Sequence, residues 1–129
     1  MTDSSGSAGS PRPEGDAVRG RLAAERVDTT ARIAALSREY DGIVAANALV
    51  AVDDEHDPDG SSTAFERAHL AALLGQARER LAALDRAAQR LEQGDYGRCR
   101  SCGEPIPPAR LDALPATTTC VHCAAVRRR

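Results

Sequence analysis

The sequence predicts an all-α fold: a long antiparallel two-helix coiled-coil hairpin followed by a small four-cysteine finger. Three observations predict it. Apolar residues recur at alternating three- and four-residue steps over two long stretches, the mark of a coiled-coil seam. A short polar segment with proline and an Asp-Gly pair separates those stretches. All four cysteines then fall beyond the second stretch, as two Cys-x-x-Cys pairs.

Composition agrees. The chain has 129 residues, few aromatics (Phe65, Tyr40 and Tyr96, with no Trp) and an excess of alanine, leucine and arginine suited to long helices. A formal net charge of −2 implies no general affinity for nucleic acid or anionic lipid. No apolar run is long enough to cross a bilayer, and the N-terminus has no apolar signal core, so no membrane association and a cytoplasmic location are expected.

Residues 1–15 are rich in Ser, Gly and Pro and bury too little to offset their ordering entropy, so a disordered tail is expected there. The hairpin is assigned to 16–94. Its first helix carries Ile33, Leu36, Tyr40, Ile43 and Val50 on one seam, with Asn47 in the remaining slot. A polar residue in that position fixes register or partner geometry. Earlier, Val18, Leu22 and Val27 lie near the same face, while Arg26 and Thr29 hold the strict seam positions.

The segment 53–62, DDEHDPDGSS, reads as the turn, because Pro58 disfavours helix at Asp57 and Asp59-Gly60 is a turn pair. Thr63 to Glu66 then has the form of a capping box opening the second helix. That helix has a strict seam in Leu70, Leu74, Ala77, Leu81, Leu84, Ala88 and Leu91, and Gly94 supplies its stop. A short proline-containing turn favours folding back within one chain over pairing between chains, so a monomer is expected.

The remainder divides into a finger over 95–126 and a basic tail over 127–129. Cys99 and Cys102 form one pair and Cys120 and Cys123 the other, with seventeen residues between them. That spacing lets two tight turns aim four thiolates at one ion, the pattern of a structural zinc site. Gly103 follows the first pair, where a knuckle turn calls for positive φ. A redox dithiol lacks strand-helix context, and disulfides lack a secretory one. Four thiolates leave no open coordination position, so one structural Zn2+ without catalysis is expected. Arg98, Arg100 and Arg110 are placed to offset the net charge of such a centre, and Ile106, Leu111, Leu114 and Val121 are the expected small core beside it.

Tyr96-Gly97, Cys99-x-x-Cys102-Gly103, Ile106, Arg110-Leu111, Ala113, Pro115-Ala116 and Cys120-x-x-Cys123 together resemble the zinc-finger signature of the DksA/TraR family. These are bacterial regulators that bind RNA polymerase, and their members carry a helical hairpin before the finger. The resemblance implies that the hairpin tip enters the polymerase secondary channel, where acidic residues act on transcription initiation. In this chain those residues are Asp53, Asp54, Glu55, Asp57 and Asp59. The family's Asp-x-x-Asp-x-Ala pattern is met at Asp54 and Asp57, with Asp59 in place of alanine and Pro58 introduced. The resemblance also implies ppGpp as a co-regulator at the polymerase interface, although no binding residues for it are matched.

Two further classes of function fit the sequence less well. A DNA-binding finger would use Arg98, Arg100, Arg110 and Arg127, Arg128 and Arg129 on phosphates, but lacks a recognition helix with base-reading residues, so no strong direct DNA binding is expected. An enzyme is not expected: there is no Gly-rich phosphate loop, and His56, His69 and His122 are scattered.

Overall fold

The computed structural model describes residues 13–50 and 58–127. They form four helices: α1 (Pro13–Val50), α2 (Pro58–Gln93), α3 (Pro108–Ala113) and α4 (Val121–Arg127). Among the described residues the β structure is confined to an isolated antiparallel bridge between Arg98 and Pro105. The two long helices pack against each other as an antiparallel pair. The chain divides into two compact units, one running from Val27 to Ala82 and the other combining residues up to Arg26 with those from Ala83 onward.

In the first unit, Leu36, Leu70, Leu74 and Ala77 are buried, with Ile33, Tyr40, Ile43 and Leu73 packed around them. These are largely the seam residues that the three-four spacing predicts. Each buried leucine contributes roughly 1.5–3 kcal/mol by leaving water. In the second unit, Leu22, Leu84 and Ala87 form the buried centre, flanked by Val18, Ala88, Leu91, Tyr96 and Ala116. Tyr96 and Ala116 belong to the finger segment, so the finger shares a core with the helix ends beside it.

Between Leu22 and Ile33 the strict seam spacing overrides hydrophobicity. Thr29 is buried, while Val27, only two residues away, is 67% exposed. A residue's direction from a helix is set by its register, and Val27 falls outside the seam. Arg26, the other polar residue at a strict seam position, is exposed and pairs with Asp85 at 2.7 Å.

The helix starts differ from the sequence expectation. α1 begins at Pro13, inside the segment assigned to the tail; the rest of that disordered assignment, residues 1–12, lies outside the described residues. α2 begins at Pro58, five residues before the capping box. Both starts have one physical cause. Proline at the first helical position lacks only an N–H that no intrahelical acceptor would have met, and its φ is already helical. Thr63 and Glu66 therefore lie within α2 and do not open it.

The end of α2 matches expectation. Gly94 has φ +83. The Gly94 N–H donates to the Leu91 carbonyl at 3.3 Å and the Asp95 N–H to the Arg90 carbonyl at 2.8 Å. This pair of bonds is a Schellman closure, which satisfies two terminal carbonyls and turns the chain out of the helix.

Candidate metal centre

The finger begins with a tight reversal. Gly97, at φ +86, lies where an added Cβ would meet Leu111 Cδ1 at 3.4 Å. Its carbonyl accepts the Ile106 N–H at 2.7 Å, and the Cys99 N–H donates to the Glu104 carbonyl at 2.8 Å. Within that loop, the Gly103 N–H returns to the Cys99 carbonyl at 2.9 Å. Gly103 has φ +78, the left-handed value expected just after the first cysteine pair. The turn leaves Cys99 and Cys102 on the same side of the knuckle.

The second pair straddles a helix start. Cys120 directly precedes α4 and Cys123 lies in its first turn. The Ala124 N–H donates to the Cys120 carbonyl at 3.0 Å, and the Cys123 N–H approaches Cys120 Sγ at 3.5 Å. The two halves are tied by the Arg100 N–H, which donates to the Thr118 carbonyl at 2.8 Å. As a result the four sulfurs lie within 4.8 Å of one another, with Cys102 Sγ and Cys120 Sγ 3.9 Å apart.

Hydrogen bonds divide the thiols electrostatically. N–H donation from the Cys120 backbone, joined by that of Cys102 and Ser101, brings Cys99 down to about 6. Cys102 receives a bond from the Glu104 N–H that favours its thiolate, yet its contact with Cys99 and its desolvation leave it above the usual thiol value. Cys123, against the Cys120 sulfur first and then by desolvation, is pushed up to about 12. Four thiols this close titrate as a group, and a dication among them stabilises all of the thiolates together.

Arginines hold the frame. Arg110 donates to the Thr119 carbonyl at 2.8 Å and reaches Thr117 Oγ1 at 3.4 Å. Arg98 donates to the Gly103 carbonyl at 3.1 Å. The two thus brace the approaches to both cysteine pairs, beyond any charge they supply.

The expected apolar core beside the ion is only half right. Ile106 is buried and Leu111 half-buried, but Leu114 is 47% and Val121 59% exposed. Leu114 caps the end of α3 and Val121 opens α4, so neither presents a helix face to the interior. Cys99, Pro115 and Thr119 occupy the interior instead. A segment that buries so little apolar surface depends on its metal for folding.

The finger is fastened to the long helices at three places. Tyr96, held within the finger by donating its hydroxyl to the Pro115 carbonyl at 2.8 Å, packs against the Leu22, Leu84 and Ala87 cluster of the helices. Arg21 of α1 donates to the Asp112 carbonyl and lies 3.7 Å from its carboxylate. Asp95, Tyr96 and Gly97 follow directly from the Schellman closure of α2. Sequence reading did not foresee the Arg21–Asp112 contact, since ninety-one positions separate the two residues and no local pattern marks either.

Of the acidic turn residues, Asp53, Asp54, Glu55 and Asp57 lie outside the described residues, and Asp59 falls in the first turn of α2. His69 and His122 stand outside the cysteine cluster. No helix among the described residues is long and apolar enough to cross a membrane.

A helical hairpin closed by a four-thiolate finger defines a structural zinc-finger protein with one zinc site. Residues 94–129 match the family model described as the prokaryotic dksA/traR C4-type zinc finger. Over these residues the chain is similar to the DksA/TraR C4-type zinc-finger proteins. Its fold is similar to that of the transcription factor DksA2 from Pseudomonas aeruginosa, with a TM-score of 0.71 and 28% identity over 88% of this chain and 82% of that one. Over 64 residues, half of this chain and 45% of the relative, it is 38% identical to the RNA polymerase-binding transcription factor DksA of Caulobacter vibrioides. It is also 38% identical over 66 residues, 51% of this chain and 28% of the relative, to the uncharacterised protein YteA of Bacillus subtilis. The chain spans less than half the length of these curated relatives.

Proposed function

We propose that this chain is a non-enzymatic transcription regulator that binds RNA polymerase directly, with Cys99, Cys102, Cys120 and Cys123 holding the zinc ion. In this reading the acidic turn of Asp53, Asp54, Glu55, Asp57 and Asp59 enters the polymerase secondary channel and modulates initiation. The observation that carries it is the likeness to DksA2, which extends over 88% of the chain and so includes hairpin and finger together. The cysteine cluster adds to this by giving the hairpin a metal-stapled end. Bound zinc supplies folding free energy and, with no open coordination position, no chemistry.

The division of labour follows from the residues. Zinc and the shared core of Leu22, Leu84, Tyr96 and Ala116 hold the finger against the helix ends. The seam residues of the other unit hold α1 against α2. Neither task consumes the acidic turn, which is left to act on a partner. Five carboxylates within seven positions repel one another, and a cationic or metal-bearing partner surface would relieve that cost.

The test has two parts. Affinity-tagged, zinc-loaded chain should retain RNA polymerase from a purified mixture. Asp54→Asn combined with Asp57→Asn should keep the fold and the zinc content but lose the effect on transcription by purified polymerase. Unchanged regulation by the double variant would remove the turn from the mechanism, and failure to retain polymerase would remove the partner.

A finger that reads DNA fits less well. The helices available to it, α3 and α4, have six and seven residues. Arg98 and Arg110 are engaged in bracing the knuckles. Salt-dependent binding to duplex DNA in the absence of polymerase is the result that would favour it.

A further inference from the structure

An open groove of about 430 Å³ runs between α1 and α2 within the unit from Val27 to Ala82. Ser37, Tyr40 and Asp41 line it from α1, and Ala71, Leu74 and Arg78 from α2. Leu74 is buried and Tyr40 half-buried, while Asp41 and Arg78 are exposed, one on each helix. Among the described residues, none of the four polar side chains in the groove has a hydrogen-bond or ion-pair partner. Asp41 and Arg78 do not even meet each other. Where an acid and a base of the two helices come within reach they do pair, as Arg26 and Asp85 show at 2.7 Å.

One acid and one base, each unanswered within the chain, give the groove a charge pattern complementary to itself. A twofold axis makes every contact occur twice, residue i on j and residue j on i. We infer that the groove is a contact surface for a second copy of this chain, with Asp41 of each hairpin against Arg78 of the other. Two ion pairs then form together, and neither charge is left over. A foreign helix would have to bring an acid and a base at matching positions; a second copy brings them by symmetry. The Tyr40 ring and Ala71 supply apolar area between the two pairs. Val44, 38% exposed one turn further along α1 from Asp41, extends it. Exposed ion pairs add little affinity but decide which surfaces meet. The dimer is therefore weak, and the monomer expected from the sequence is its dilute form. Each hairpin keeps its own seam, so neither fold has to open.

The experiment is sedimentation equilibrium of the zinc-loaded full chain from micromolar to near-millimolar concentration. A reversible monomer–dimer equilibrium is expected. Asp41→Arg places two bases in each groove and Arg78→Asp two acids. Each variant alone should have a dimer dissociation constant at least about tenfold above the parent's, since like charges then face each other across the axis. An equimolar mixture of the two variants should associate as the parent does, because every contact is again acid on base. Both side chains are exposed, so each variant should keep the helix content and melting point of the parent, which circular dichroism checks. Arg32→Gln, a charge outside the groove, should leave the equilibrium unchanged. A chain that stays monomeric throughout overturns the proposal. So does a dimer that both charge reversals leave intact, or a pair of variants that remain apart when mixed. A monomer whose two reversals weaken retention of purified RNA polymerase also overturns it, because the groove would then belong to that partner.

Discussion

The Tyr96 hydroxyl and the Pro115 carbonyl, nineteen residues apart, are joined by a 2.8 Å hydrogen bond. The Tyr96 ring meanwhile packs against the cluster of Leu22, Leu84 and Ala87. One side chain thus belongs to the hairpin core by its ring and to the finger by its oxygen. Tyr96→Phe should keep the first role and lose the second. The expected loss is about 1 kcal/mol, the net worth of a part-buried neutral hydrogen bond. Thermal denaturation of the zinc-loaded protein checks it, and a melting point equal to the parent's would show that water replaces the hydroxyl.

Metal removal should act unevenly on the two units. A chelator strong enough to extract zinc should abolish amide protection over 95–127 and lower it around Leu84 to Leu91, whose core includes finger residues. Protection around Leu36, Leu70 and Leu74 should persist, because that cluster contains no finger residue. Hydrogen exchange with and without metal separates the cases. Uniform loss across both units would contradict the division.

Zinc affinity should rise with pH. Near neutrality Cys99, at about 6, is mostly thiolate already. Cys123, at about 12, and Cys102, above its usual value, are still protonated and must release those protons to bind metal. At least two protons released imply an affinity gain of roughly a hundredfold or more per pH unit between 6 and 8. Competition with a chromophoric chelator at three pH values measures the slope. A flat profile would mean that the four sulfurs are not all ligands.

Burial, not residue type, should decide the cost of trimming the apolar side chains. Leu84 is 1% exposed, and Leu84→Ala should cost about 2–5 kcal/mol. Val27→Ala should change stability by less than about 0.5 kcal/mol, since that side chain points to solvent. Urea denaturation of the two variants gives the comparison. A Val27→Ala loss above about 1 kcal/mol would return Val27 to the seam.

Much of this was legible in the sequence, for reasons that differ by element. The α2 seam was clear because Leu70 to Leu91 repeat without exception, and the zinc pattern because cysteine spacing is a local geometric constraint. Gly94 and Gly103 were readable too, since positive φ leaves few other choices of residue. The α2 start was misread because Pro58 suits both a turn and a first helical turn, and only the backbone decides between them. Leu114 and Val121 were placed inside on hydrophobicity alone, while their exposure depends on where α3 ends and α4 begins. The Arg21–Asp112 and Tyr96–Pro115 contacts lie between distant segments, where no periodicity reaches.

The unit that contains the finger draws on both ends of the described chain, Leu22 of α1 as well as Leu84, Tyr96 and Ala116. On the ribosome its first strip therefore emerges long before the residues that cover it. The cluster of Ile33, Leu36, Leu70 and Leu74 can close earlier, as soon as α2 is out. Until residues 95–127 have also left the exit tunnel and captured zinc, Val18 and Leu22 are covered by α2 alone, without Tyr96 and Ala116. Cellular zinc supply would then govern how much newly made chain survives proteolysis, quite apart from anything the finished protein does.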